Sequence, residues 1–140
     1  MKINKSIFYE HFKSYNKVKE KYLSRNYNIV ELDCKFVNTK YDIFNIFSET
    51  LNFPDYFGDN WDALEECIND LEWLKSKNMV ILISNITHIK AKEFLKTFID
   101  ILVDAHNHWS QEKIDFSVVI FAKKELDNKL KKVLNEVKKR

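Results

Sequence analysis

Seven carboxylates and no lysine or arginine fall between Phe53 and Trp73, in the run FPDYFGDNWDALEECINDLEW. Widening the window to Tyr41–Leu74 raises the count to nine acids, still without a basic residue, although the 140-residue chain has a formal net charge of +2. Negative charge is therefore concentrated on one segment. Such a surface steers a cationic partner and fixes its register, and it repels nucleic acid. If Asn60–Leu74 is helical, Ala63, Leu64, Cys67, Ile68 and Leu71 form one apolar stripe. Asp59, Asp62, Glu66 and Asn69 or Asp70 then recur on the opposite side, with Glu65 beside them. Like charges at those spacings destabilise an isolated helix by roughly 0.2–0.5 kcal/mol per pair. Asp59 and Asp62 recover part of this near the helix N-terminus, where the macrodipole favours anions; Glu66 and Asp70 do not. A ridge kept at that cost points to a partner that supplies the counter-charges. The competing reading is a merely solvated face.

Other chemistries fit poorly. Two carboxylates can hydrolyse a glycoside, but only across a cleft, and these line one helix face. His106 and His108 flank Asn107 in HNHW, yet the nuclease pattern of that name spreads its residues over a ββα unit. Cys34 and Cys67 have no metal-ligand spacing and no partner set of three or four donors, so neither a metal nor a cofactor is expected. A single glycine excludes the Gly-rich phosphate loops, and no serine sits in a G-x-S-x-G setting. The chain is expected not to be an enzyme.

The elements that must hold the acidic segment follow from periodicity. Ile7, Phe8, Phe12, Tyr15, Val18, Tyr22 and Leu23 predict a helix over Lys5–Leu23. NIVELD begins a strand, placed at Ile29–Asp33. Thr39 and Asp42 predict a capping box for a helix that breaks at Pro54. The acidic helix opens at Gly58–Asn60 and is expected to reach about Leu74. MVILIS, Met79–Ser84, and the run Phe116–Phe121 are near-continuous apolar strands, as in a sheet covered on both faces. Between them Ala91–His106 is amphipathic, and Leu126, Leu130, Val133, Leu134 and Val137 predict a weakly basic C-terminal helix. The expected fold is α/β: three parallel strands packed by at least five helices, one at each end. With 45% hydrophobic and 31% charged residues and no Pro- or Gly-rich linker, residues 1–140 read as a single domain. No apolar run approaches the ~20 residues needed to span a bilayer, and the start lacks a signal-peptide core. Unbridged cysteines agree with a reducing compartment, so a cytoplasmic location is expected.

DYFGDNWDALEECI, Asp55–Ile68, resembles the signature segment of the barstar family, intracellular inhibitors of the bacterial ribonuclease barnase. Tyr-aromatic-Gly-acid-Asn, then Asp-Ala-Leu, then an acid followed by Cys and an aliphatic residue all keep their order. A weaker similarity extends over Asn28–Ala122. The resemblance implies a barstar-like core at about 28–122, with helical extensions at 1–27 and 123–140. It also implies that the acidic helix and its preceding loop lie across a ribonuclease active site, pairing with the cations that would hold RNA phosphates. Tyr56 then corresponds to the loop tyrosine that stacks on a catalytic histidine, and Asp62 to the first helix carboxylate. Glu66 stands where the family has the aspartate that enters the phosphate site, and Asp104 matches a further acidic contact. Gly58 is expected to let the loop turn closely, and Asn60 to fasten it.

Three departures bear on specificity. Glu66 is one methylene longer than the family's aspartate, Glu65 replaces a tryptophan of the binding face, and Phe57 stands for a tyrosine. The binding face read from the sequence comprises Tyr56, Gly58, Asp59, Asn60, Asp62, Glu65, Glu66, Asn69, Asp70 and Asp104. Its expected partner is one basic ribonuclease or ribonuclease toxin, bound one to one, with no direct contact to nucleic acid or membrane. The alternative is a non-inhibitory interaction domain of the same fold that binds another basic protein. The terminal helices are expected to cover the sheet or its edge, the alternative being dimerisation or selection of a different target.

Overall fold

In the computed structural model, residues 7–53, 58–70, 77–89, 91–122 and 128–138 are described. Four strands form one parallel sheet: β1 (Ile7–His11), β2 (Asn28–Asp33), β3 (Met79–Ser84) and β4 (Phe116–Ala122), in the order β1-β4-β3-β2. Val30 lies opposite Ile81, Ile81 opposite Val118, and Val118 opposite Ile7, so one apolar row crosses the whole sheet. Among the described residues, five α-helices accompany it: α1 (Tyr15–Ser24), α2 (Lys40–Leu51), α3 (Trp61–Asn69), α4 (Lys92–Gln111) and α5 (Asn128–Lys138).

The sheet corrects two expectations. It has four strands, not three, because Ile7–His11 is a strand and not the start of a helix. Apolar residues at 7, 8 and 12 fit a helical stripe and a two-sided strand equally well. Tertiary pairing decides the matter, since β1 bonds along β4 and Ile7 becomes fully buried. The helix begins only at Tyr15, after a single 3₁₀ turn at Phe12–Ser14. The N-terminal extension is thus a strand and a helix. The acidic helix ends at Asn69, with Asp70 already non-helical at φ −116° and ψ 33°; the remainder of the expected span, from Leu71 to Leu74, lies outside the described residues.

Alternation along the strands separates two apolar layers. Val30, Leu32, Ile81, Ile83, Val118 and Ile120 face the main core with α2, α3, α4 and α5. Val80, Leu82, Val119 and Phe121 face the other way and are covered by α1 through Tyr15, Val18 and Tyr22. α5 packs against α4 and buries Leu130 and Leu134 in the main core. Both terminal helices therefore cover apolar surface. α2 starts where Asp42 Oδ2 accepts the backbone N–H groups of Asn38 (2.8 Å) and Thr39 (2.9 Å), the carboxylate half of a capping box. It ends at Asn52, left-handed at φ 51°, a conformation asparagine tolerates better than most residues.

Candidate partner-binding face

The entry to α3 is built from three polar residues. Asn60 caps the helix, its Oδ1 accepting the N–H of Ala63 at 2.8 Å, while its Nδ2 donates to the Gly58 carbonyl at 3.0 Å. Asn60 thus fastens the loop from both ends of its amide. A Cβ on Gly58 would stand 3.1 Å from that Nδ2, a tight contact that a larger residue could relieve only by shifting the Asn60 amide. The left-handed residue of the turn is Asp59, with φ 48°. Tyr56 lies outside the described residues, as do Asp55 and Phe57.

Along α3 the apolar stripe and the acidic side separate as the spacing requires. Leu64 and Ile68 are fully buried, Ala63 and Cys67 are half-buried, and Leu71 lies outside the described residues. Asp59, Asp62, Glu66 and Asp70 are exposed; Glu65 and Asn69 are half-buried at the margin. Among the described residues, no ion pair engages Asp59, Asp62, Glu65, Glu66 or Asp70, whereas Lys19–Glu31 and Lys96–Asp100 pair elsewhere. The local field is negative. Burial pushes the Cys67 thiol above its ordinary pKa, and the neighbouring Glu66 and Asp70 push it further.

Aromatic contacts set the inclination of α3. The half-buried Trp61 ring meets Phe44 of α2 edge-on at 4.9 Å, and is inclined by 28° to Phe94 and 30° to Phe98 of α4, at 6.4 Å from each. Its ring therefore serves the core at the start of the helix. At the other end Trp109 of α4, 2% exposed, donates its indole N–H to the Ile68 carbonyl at 3.1 Å. Trp109 is a positioning residue that the sequence did not reveal, since nothing in the local pattern links it to a carbonyl 41 positions earlier. These two anchors make α3 and α4 run side by side in the same direction. Asp104, half-buried, lies between Phe98 and Trp109 on that neighbouring helix. His106 is tied to the sheet, its Nδ1 lying 2.8 Å from the Phe116 carbonyl.

Cys34 is fully buried, and burial followed by the charge of Asp33 pushes its thiol up to about 12. A cavity of about 750 Å³ opens at the carboxyl ends of β2, β3 and β4, lined by Tyr15, Glu31, Asp33, Asn85 and Phe121 among others. It lies on the α1 side of the sheet, and none of the candidate face residues lines it. Among the described residues, no cluster of His, Cys, Asp and Glu side chains is arranged to hold a metal, and no helix is long and apolar enough to cross a membrane.

The site is thus one acidic helix, without an ion pair among the described residues, on a helix-covered parallel sheet. The chain belongs to the barstar family: the profile described as Barstar (barnase inhibitor) matches residues 27–121. Proteins of this family are inhibitors and not enzymes, and the chain is accordingly not an enzyme. No curated protein matches the sequence. Among solved structures, the crystal structure of Cdc6p from Pyrobaculum aerophilum is similar, with a TM-score of 0.60 and 16% identity. The match covers 94% of this chain and 36% of that one, and at this identity the likeness concerns the fold alone. The family match leaves the whole of β1, α1 and α5 outside its bounds.

Proposed function

We propose that this protein inhibits a basic ribonuclease by laying α3 and the loop before it across the site that holds RNA phosphates, one inhibitor to one enzyme. The observation that carries this reading is the row Asp59, Asp62, Glu66 and Asp70, exposed on one side of a fixed helix with no counter-charge among the described residues. Carboxylates so placed gain most from Arg, Lys and His side chains that a nuclease already gathers for phosphate binding. Asp62 and Glu66 are the central contacts, Tyr56 and Asp59 extend the face along the loop, and Glu65, Asn69, Asp70 and Asp104 form its margin. Gly58 and Asn60 act through loop geometry. Protection of the producing cell from its own toxin, in the cytoplasm, is the role such an inhibitor would serve. Residues 1–140 act as one unit in this reading.

The partner-side specificity is a separate matter. Glu65 in place of tryptophan and the longer Glu66 favour a nuclease with a phosphate site differing from that of the family's best-known target. Titration of the protein into RNA hydrolysis by a candidate basic ribonuclease tests the reading. Activity should fall linearly to an equivalence point of one inhibitor per enzyme. Undiminished hydrolysis by every basic ribonuclease tried, with recovery of a non-nuclease basic protein on the same face, would favour the interaction-domain alternative.

A further inference from the structure

A stable protein interface buries about 800 Å² on each partner, roughly 20–30 residues a side. The outer side of a nine-residue helix and its short entry loop falls well short of that. The footprint must therefore extend onto neighbouring elements. The described part of the α3 face is also entirely polar on its outer side, whereas the residues that dominate binding energy are mostly Trp, Tyr and Arg set among contacts that exclude water. Glu65 stands where the family carries a tryptophan, so α3 itself supplies no such anchor between Asp62 and Asp70.

One exposed aromatic is joined to the start of α3. Tyr41, on the first turn of α2, is 53% exposed. Its ring meets Phe44 edge-on at 5.7 Å, and Phe44 meets Trp61 edge-on at 4.9 Å. Trp61 is the first residue of α3 and precedes Asp62 directly. Phe44 is fully buried, so the base of the Tyr41 ring rests on a rigid core residue while the rest stays open. Lys40 Nζ lies 5.6 Å from the Tyr41 ring centre, holding a cation against one ring face. Leu23, 56% exposed, sits at the end of α1 on the other side of the sheet, and Phe36, 69% exposed, lies on the 3₁₀ turn Cys34–Phe36 that follows β2.

We infer that Tyr41 is the aromatic anchor of the ribonuclease interface, carrying the footprint from the N-terminal end of α3 onto α2. The inference rests on the inhibitor reading and adds a residue outside the acidic segment. The partner feature it calls for is an apolar or planar cationic patch, an arginine or an exposed aromatic, beside the phosphate site. Lys40 works against a basic partner. Its removal should quicken association at low salt.

Tyr41→Ala, Tyr41→Phe, Lys40→Ala and Leu23→Ala variants, compared with an Asp62→Ala/Glu66→Ala double variant, test this by dissociation constant and rates against the inhibited nuclease. Tyr41→Ala should weaken binding at least about tenfold, chiefly through faster dissociation, with an unchanged melting temperature. Tyr41→Phe should lose less, Lys40→Ala should associate faster, and Leu23→Ala should match the wild type. Tyr41→Ala binding as tightly as wild type, while the double variant fails to bind, would overturn the anchor and leave the inhibitor reading standing. A double variant that still binds fully would overturn the inhibitor reading itself. Circular dichroism of each variant separates lost contact from lost fold.

Discussion

Replacing Glu66 by Gln should make the protein more stable while removing its central contact. Glu66 has a carboxylate four residues to either side, Asp62 and Asp70, and no counter-charge among the described residues. Each like-charge pair at that separation costs roughly 0.2–0.5 kcal/mol in a regular helix. Asp70 has left the helix, so its pair belongs at the lower end. Glu66 also lies in the last turn of a helix ending at Asn69, where the macrodipole disfavours an anion by about 0.3–1 kcal/mol at low salt. Gln and Glu have similar helix propensities, so the neutral isostere removes charge and little else. Exposure reduces these terms, and a net gain of about 0.5–1 kcal/mol follows, or about 2–4 °C in melting temperature for a chain of this size. Urea and thermal unfolding at low salt measure it. The gain should shrink toward zero in 1 M salt, where the screening length is only about 3 Å. A Glu66→Gln protein destabilised by more than about 1 kcal/mol, or a gain indifferent to salt, would show that Glu66 holds α3 together, and the argument that the ridge is kept for a partner would fail.

Other outcomes follow from the same geometry. Trp109→Phe removes the donor to the buried Ile68 carbonyl and should cost about 2–4 kcal/mol in urea unfolding, from the orphaned carbonyl plus the space left behind. Inhibitor binding should weaken more than this loss of folded population explains, because the C-terminal end of α3 is released. Ile7→Ala should destabilise the fold by about 2–5 kcal/mol, as expected for a fully buried residue of a paired strand and not for an appended tail. Asp42 has its pKa lowered by the backbone N–H groups of Thr39 and then Asn38. A depressed carboxylate stabilises the fold above its unfolded pKa, and that contribution disappears as pH falls through the folded value. Wild type should therefore exceed Asp42→Ala in stability near neutrality by less than about 1 kcal/mol, with the two converging below pH 3.8 in an acid titration of unfolding.

The strands at Met79–Ser84 and Phe116–Ala122 were legible because a sheet covered on both faces needs unbroken apolar runs, and little else in a short chain produces them. β1 was not legible. Five residues with apolar side chains at 7, 8 and 9 satisfy either period, and only the unfilled edge of β4, which lies far along the chain, selects the strand. The acidic side of α3 could be read residue by residue, since charge alternating with Leu64 and Ile68 at helical spacing has one simple solution. Its end could not: acids continue through Glu72, yet Asp70 departs from helical geometry just after the Trp109 indole engages Ile68. The role of Asn60 was within reach because cap residues act locally. Trp61 and Trp109 were not, because their partners lie on other helices.

The central claim is that α3 meets the phosphate-binding cations of a ribonuclease with Glu66 at its middle. A double-mutant cycle tests it most directly, combining Glu66→Gln with neutral replacement of a phosphate-site arginine or lysine of the inhibited nuclease, read as binding and not as catalysis. The account predicts a coupling above about 2 kcal/mol, within the range known for close charge pairs in this family, and reduced by salt. Coupling below about 0.5 kcal/mol with each of the nuclease's active-site cations would contradict it.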